Sequence, residues 1–322
     1  MRGLLAQALA DAVLRPGDLV TVALSGGADS LALAAATAFE APKQDLRAGA
    51  VVVDHALQAG SEAVAGRASR QASALGLDPV TVRRVAVGSD GGPEAAAREA
   101  RHAAVAEVAA ATGSPLVLFG HTLDDQAETV LLGLLRGSGP DALSGMTPLT
   151  RRSSGPAYGR PLLGVRRHTT RQACVAAGTA PWDDPQNDDP AFARVRVRTA
   201  LLPVLERELG AGVPEALART AEQLREDAEA LDHFAEELAE DLAEHSEAGI
   251  SLSVAGLLAN PAALRQRLVR LAVEGEFGVT LSRTQTLEVC RLVTDWHGQG
   301  PIDLPGVTAS REGDRLAFSA AS

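Results

Sequence analysis

Six residues, Ser25-Gly26-Gly27-Ala28-Asp29-Ser30, constrain this chain more than any other stretch. Leu19-Val20-Thr21-Val22-Ala23-Leu24 runs before them, short, apolar and rich in β-branched residues, the pattern of a buried strand. Leu31-Ala32-Leu33-Ala34-Ala35-Ala36 follows, with helix-forming composition. A strand, a turn of small residues and a helix start gather several backbone N–H groups at one point, which the positive end of the helix dipole also faces. Gly26 and Gly27 let the backbone approach an anion closely, and Ser25 and Ser30 add hydroxyl donors. The expectation is a phosphate cradle. A glycine-rich turn that merely starts a helix is the plainer alternative.

Two common cradles do not fit. The Walker loop needs a lysine beside its last glycine, and Lys43 is the only lysine in the chain. The GxGxxG dinucleotide fingerprint is absent here as well.

Strand-like segments at Leu19 to Leu24, Ala50 to Val53, Val80 to Val87 and Leu116 to Gly120 alternate with helix-like ones. The helices are expected at Ser30 to Phe39, Ser61 to Leu75 and Pro93 to Ala111. This order predicts an α/β domain, a parallel sheet with helices on both faces, whose ligands sit beyond the carboxyl ends of the strands. The cradle, Asp54-His55 and His121 all fall at such ends, so one composite site is expected. The segment 151–161 reads as loop.

A length of 322 residues suggests two domains. The first is expected over 1–205. A mainly helical second domain is expected over 206–322, with a long helix from Glu206 to Glu247 and a terminal β-hairpin around Ile302-Asp303-Leu304 and Arg315-Leu316-Ala317-Phe318. Cys174 and Cys290 are far apart and form no CxxC pair, which argues against a disulfide scaffold, a structural zinc and thiol redox chemistry. No apolar run approaches membrane-spanning length, so no membrane partner is expected, and the chain reads as cytoplasmic. The net charge of −11 averages over an uneven distribution. Residues 151–171 carry six arginines and no Asp or Glu, whereas acids dominate 206–247, so a local basic surface for phosphates remains compatible with the sum.

His121-Thr122-Leu123-Asp124-Asp125-Gln126-Ala127-Glu128 places Asp125 and Glu128 on neighbouring faces of one helix. Thr122 with Asp125 also makes a capping pattern, which explains one carboxylate but not three beside a histidine. Glu94, Arg98 and Arg101 share helical spacing and read equally well as a surface ladder or as cations aimed at phosphates. Arg194-Val195-Arg196-Val197-Arg198 reads as an edge strand or an extended arm with one basic face. Its nearness to Asp184 suggests a structured loop contacting phosphate.

SGGADS is similar to the PP-loop of ATP pyrophosphatases, enzymes of the adenine-nucleotide α-hydrolase-like fold that cut ATP between its α and β phosphates. With VDHALQ at 53–58, EAAAREARH at 94–102, GHTLDDQAETVLLGLLRGSG at 120–139, RPLL at 160–163, DPQNDD at 184–189 and RVRVR at 194–198, the chain resembles the bacterial tRNA(Ile)-lysidine synthetases over its first 200 residues or so. Three positions depart from that family's pattern. Gln58 stands where an arginine is common, His102 where a tyrosine is, and Val195 where an asparagine is. The chain is shorter than long members, which suggests that their last domain is missing.

The resemblance implies ATP and Mg²⁺ as cofactors, and free L-lysine and tRNA(Ile) with a CAU anticodon as partners. It implies attack of the cytosine O2 on the α-phosphorus, then displacement of AMP by the lysine ε-amine. By the same resemblance Ser25, Gly26, Gly27, Ala28, Asp29, Ser30, Asp54 and His55 bind ATP, with Asp29 also a Mg²⁺ ligand. His121, Asp125 and Glu128 bind lysine. Asp29, Arg98 and Arg194 serve the chemistry. Local charge, with few nearby acids, makes Arg166, Arg167, Arg196 and Arg198 the expected tRNA contacts. Rival readings are a tRNA-thiolating enzyme, an NAD or GMP synthetase, and a non-enzymatic nucleotide-binding module.

Overall fold

Val20, Val22 and Leu24 of β1 (Leu19–Leu24) are buried in the larger of two hydrophobic layers that sandwich a sheet. The computed structural model describes residues 1–54, 60–85, 93–137, 139–152, 154–247 and 249–321, with only the backbone of 93–97 and 141. The chain forms two compact units, 1–223 and 224–322.

In the first unit the remaining strands are β2 (Arg47–Asp54), β3 (Val80–Arg84), β4 (Leu116–Leu118), β5 (Leu149–Thr150) and β6 (Ala157–Gly159). The sheet order is β3-β2-β1-β4-β6-β5, parallel throughout except where β5 runs against β6. Helices α1 (Arg2–Ala10), α2 (Ala28–Glu40) and α3 (Ser61–Ala74) contribute Leu5, Leu31 and Ala68 to the layer below β1. On the opposite face α4 (Pro93–Thr112) packs Val105 and Ala109 against Val51 and Val117. The expected parallel sheet with helices on both faces is therefore present. One expected loop is not: residues 157–159 add a parallel strand, because Ala157 and Tyr158 are buried against β4 and supply its missing neighbour.

Beyond the sheet come α5 (Leu123–Leu135), α6 (Pro140–Leu143), α7 (Arg167–Ala176), α8 (Ala193–Arg196), α9 (Leu202–Leu209) and α10 (Val213–Leu242). Residues 194–198 are not the extended arm expected from their alternation. They are helical, with Val195 and Val197 buried and a π-helical turn from Val197 to Leu201. Val195 lies in α8 and Val197 opens the π-helical turn, so the two valines straddle that junction instead of sharing one face of a strand. The expected start of the second domain at 206 lies inside the first unit. Val213 and Leu217 of α10 pack with Ala127, Val197 and Leu202, so the division falls within α10.

The second unit holds the rest of α10, then α11 (Val254–Ala259), α12 (Ala262–Phe277) and α13 (Arg283–Thr294). The terminal hairpin is part of a larger antiparallel sheet. Strands β7 (Ala243–Ser246), β8 (Gly249–Ser253), β9 (Ile302–Leu304), β10 (Val307–Glu312) and β11 (Arg315–Ala320) follow the order β7-β8-β11-β10-β9. Leu252, Leu268, Val289, Leu316 and Phe318 form its core. No helix among the described residues is long and apolar enough to cross a membrane.

Candidate active site

The cradle closes on itself through its two serines. Ser30 Oγ accepts from the Ser25 N–H at 3.2 Å, lies 3.1 Å from Ser25 Oγ and donates to the Gly27 carbonyl at 3.0 Å. Gly26 adopts a φ of +84°, a conformation that disfavours any side chain. Gly27 then caps α2 in an extended conformation, leaving the first N–H groups of that helix beyond the end of β1. Gly120 follows β4 and comes so close that a Cβ there would sit 3.0 Å from the Asp29 carbonyl. That contact brings the histidine-carboxylate block beside the cradle.

Asp29 points out of the first turn of α2 toward α7. Thr170 Oγ1 donates a short hydrogen bond to its carboxylate, and Arg167 Nε lies 3.5 Å from its other oxygen. Burial raises the Asp29 carboxyl above its ordinary range more than Thr170 and Arg167 lower it.

Asp125 divides its two oxygens between two tasks. Oδ2 completes a capping box, accepting from the Thr122 N–H and hydroxyl, each at 2.8 Å. Oδ1 receives Arg167 Nη2 at 2.8 Å. The capping and functional readings of Thr122 and Asp125 thus hold together. Burial alone would raise this carboxyl, but Arg167 and the two bonds from Thr122 together hold it below its usual value. Asp124 caps α7 instead, accepting the Arg167 backbone N–H at 2.7 Å.

Glu128 is fully buried and surrounded by arginines. Arg198 bonds both its oxygens, at 2.8 and 3.1 Å, while Arg167 approaches at 3.2 Å and Arg194 at 3.4 Å. Arg194 also donates to Thr129 Oγ1 at 2.8 Å. Burial would lower the Arg167 guanidinium, but the charges of Asp125, Glu128, Asp29 and Asp124 raise it, so it stays protonated.

His121 stacks on Phe119 with ring centroids 6.0 Å apart, and its buried Nδ1 has no hydrogen-bond partner among the described residues. Burial pushes its pKa down to about 4, and Arg160, Arg194 and Arg98 add to the effect. His102 packs 5.1 Å from the Phe119 ring and 5.6 Å from that of Tyr158, and burial with Arg98 lowers it to about 4 as well. Arg98 is exposed, and its charge reaches both histidines.

The expected RNA-facing arginines have different surroundings. Arg167 lies within the carboxylate group, and Arg198 grips Glu128. Arg166 bonds both oxygens of Glu215, at 3.1 and 3.0 Å, and lies 3.3 Å from Asp124. Arg196 is exposed and donates to the carbonyls of Pro190 and Ala191. Asp54 is buried at the end of β2. His55 and Gln58, and the side chain of Glu94, lie outside the described residues.

Sequence reasoning overlooked two contributors. Thr170 holds Asp29, and the backbone N–H of Trp182 donates to the Gly26 carbonyl at 2.9 Å, fastening a distant segment to the cradle. The missing Asp and Glu over 151–171 were a usable signal, since buried arginines without local acids must find distant ones.

Comparison with known proteins finds two families along the chain. A PP-loop domain family matches residues 4–205, and a TilS substrate binding domain family matches 252–317. A tRNA(Ile)-lysidine synthase of Leifsonia xyli is 61% identical, covering 95% of this chain and 91% of that protein. Proteins of the same name from Streptomyces coelicolor and Thermobifida fusca are 52% and 50% identical, over 93% and 94% of this chain and 85% and 91% of theirs. In three dimensions the U34-tRNA thiolase NcsA from Methanococcus maripaludis is similar in fold. Its TM-score is 0.56 at 18% identity, over 70% of this chain and 78% of that one.

Proposed function

The chain belongs to the tRNA(Ile)-lysidine synthase family, and on that premise we propose that it uses ATP to join free L-lysine to the wobble cytidine of a CAU-anticodon isoleucine tRNA in the cytoplasm. One observation carries this reading. Asp29, beside the phosphate cradle, and Asp125 and Glu128, on α5, meet the same Arg167 guanidinium, so the nucleotide loop and the carboxylate pair form a single site.

The chemistry has two steps. The cytosine O2 attacks the α-phosphorus, forming a P–O bond as pyrophosphate leaves. The lysine ε-amine, having lost a proton, then attacks C2. The new C–N bond replaces the C2–O2 bond, and the oxygen departs on AMP. The protein's share is placement and charge. The cradle N–H groups and the Ser25 hydroxyl suit the phosphates, while Ser30, whose hydroxyl donates to the Gly27 carbonyl, shapes the loop. Asp125 Oδ1 suits an ammonium, and His121, kept neutral, does not repel it. Glu128 already balances three arginines, so its part is to fix Arg194 and Arg198 near the reacting phosphate.

Mg²⁺ binding commonly uses one or two carboxylates plus substrate phosphates. Asp29 at the cradle fits that pattern. No cluster of three His, Cys, Asp or Glu side chains among the described residues could hold a metal by itself. Bound with ATP, the ion would screen phosphate charge.

Thiolation is a poorer reading despite the shared fold with NcsA. Cys174 is buried with its thiol directed to the Ala28 carbonyl at 3.2 Å, and Cys290 belongs to the other unit. The test is incubation with ATP, labelled lysine and a panel of RNAs. Label in the CAU isoleucine tRNA supports the proposal, and ATP turnover with no RNA labelled contradicts it.

A further inference from the structure

Arg167 stands where the phosphate cradle and the α5 carboxylates meet. Its guanidinium contacts Asp29 at 3.5 Å, Asp125 at 2.8 Å and Glu128 at 3.2 Å. Asp125 Oδ2 is committed to the cap of α5, so Oδ1 is the oxygen left for an incoming ammonium. Arg167 holds that oxygen at 2.8 Å, with Arg198 farther off at 3.8 Å. Glu128 offers no substitute, because it is fully buried with both oxygens paired to arginines. A lysine ammonium and the Arg167 guanidinium therefore compete for one acceptor.

An anion in the cradle changes this competition. Arg167 already reaches Asp29 in the first turn of α2, so phosphate oxygens placed at that helix start come within its range. A guanidinium pairs with phosphate as readily as with carboxylate, through the same planar fork. Once drawn to the phosphates, it releases Asp125 Oδ1 and repels the ammonium less, since like charges repel less at greater distance and beside a neutralising anion. Arg198 stays 3.8 Å from that oxygen.

We propose that Arg167 is a positioning residue that couples the two substrates, passing from Asp125 to the ATP phosphates so that bound nucleotide opens the lysine site. This rests on the assignment of Asp125 to lysine. Coupling of this kind is reciprocal, so lysine must tighten nucleotide binding by the same factor.

The test is calorimetric titration of lysine into the full chain, with and without a non-hydrolysable α,β-methylene analogue of ATP and Mg²⁺. For the unaltered protein the analogue should tighten lysine binding by about 5- to 150-fold, the usual span of such coupling. In Arg167→Met, lysine should bind without nucleotide and the analogue should change its affinity less than about twofold. Arg167→Lys, which keeps the charge but loses the fork, should give an intermediate factor. A structural role alone would lower both affinities and leave their ratio intact.

Equal lysine affinity with and without the analogue in the unaltered protein overturns the coupling, as does an undiminished factor in both variants. Should Arg167→Met fail to fold, the unaltered protein and Arg167→Lys still decide the matter. Failure of lysine to bind under any of these conditions, even with tRNA present, instead overturns the assignment of Asp125 to lysine, and the coupling with it.

Discussion

Arg167 Nη2 lies 2.8 Å from Asp125 Oδ1, joining the start of α7 to the first turn of α5. The pair is partly buried, where charges interact more strongly than in water but cannot be left unmatched. Asp124 fixes the same geometry from the backbone side by accepting the Arg167 N–H. The start of α7 is thus held by two consecutive aspartates, and its next turn delivers Thr170 to Asp29.

Asp29 and Asp125 should respond oppositely to neutralisation. The raised Asp29 carboxyl means that the folded chain keeps this proton more tightly than the unfolded chain, so ionisation costs stability as pH rises through the raised value. Asp29→Asn should therefore melt at or above the parent temperature at pH 7, yet lose at least about 100-fold in lysine incorporation. Lowered melting together with normal incorporation would contradict both parts.

Asp125 has the reverse sign. Its depressed value stabilises the fold above the ordinary 3.8, and that contribution disappears as pH falls through the folded value. Asp125→Asn should cost about 1–3 kcal/mol at pH 7 by urea unfolding, and the gap from the parent should close on acidification. A gap independent of pH would show that charge is not its source.

Glu128→Ala removes the shared partner of Arg167, Arg194 and Arg198. Breaking a buried ion pair from one side costs about 3–5 kcal/mol, so a large fall in the unfolding midpoint is expected. A loss below about 1 kcal/mol, the ceiling for a typical exposed pair, would mean that these arginines find other partners.

The histidines give a third pH signature. His102 and His121 are held near 4, so between 6.5 and 4 the unfolded chain takes up protons that the folded chain refuses, and stability falls. His102→Tyr, which restores the family's common residue, should shrink that fall. The difference in unfolding free energy between parent and variant should change from pH 7 to pH 5. A constant difference would place the His102 titration in its ordinary range.

Much of the first unit was legible in its sequence. The strand-cradle-helix order and the capping pattern at Thr122 are local and depend on neighbouring residues. The partners of the arginines were not legible, because Arg166 meets Glu215 and Arg198 meets Glu128 across about 50 to 70 residues of chain. Periodicity also misread 194–198, where the two valines lie on either side of the junction between α8 and a π-helical turn instead of in a strand. Residues 157–159 looked like loop because a three-residue strand is too short to show alternation.

Arg196 and Arg166 separate RNA contact from internal pairing. Arg196 is exposed, so Arg196→Ala should lower the salt slope of tRNA binding by about 0.7 to 0.9. Arg166→Ala, already paired with Glu215 and Asp124, should leave that slope unchanged while lowering the melting temperature. Reversal of these two outcomes would return Arg166 to the RNA surface.

The most direct measurement is nucleoside analysis, by mass spectrometry, of CAU isoleucine tRNA treated with the protein, ATP and lysine. The expected product is lysidine at the wobble position, formed with one AMP and one pyrophosphate and absent when Asp29→Asn replaces the parent. Unmodified wobble cytidine, with ATP consumed and the lysine left free, would contradict the single site formed by the cradle and the α5 carboxylates.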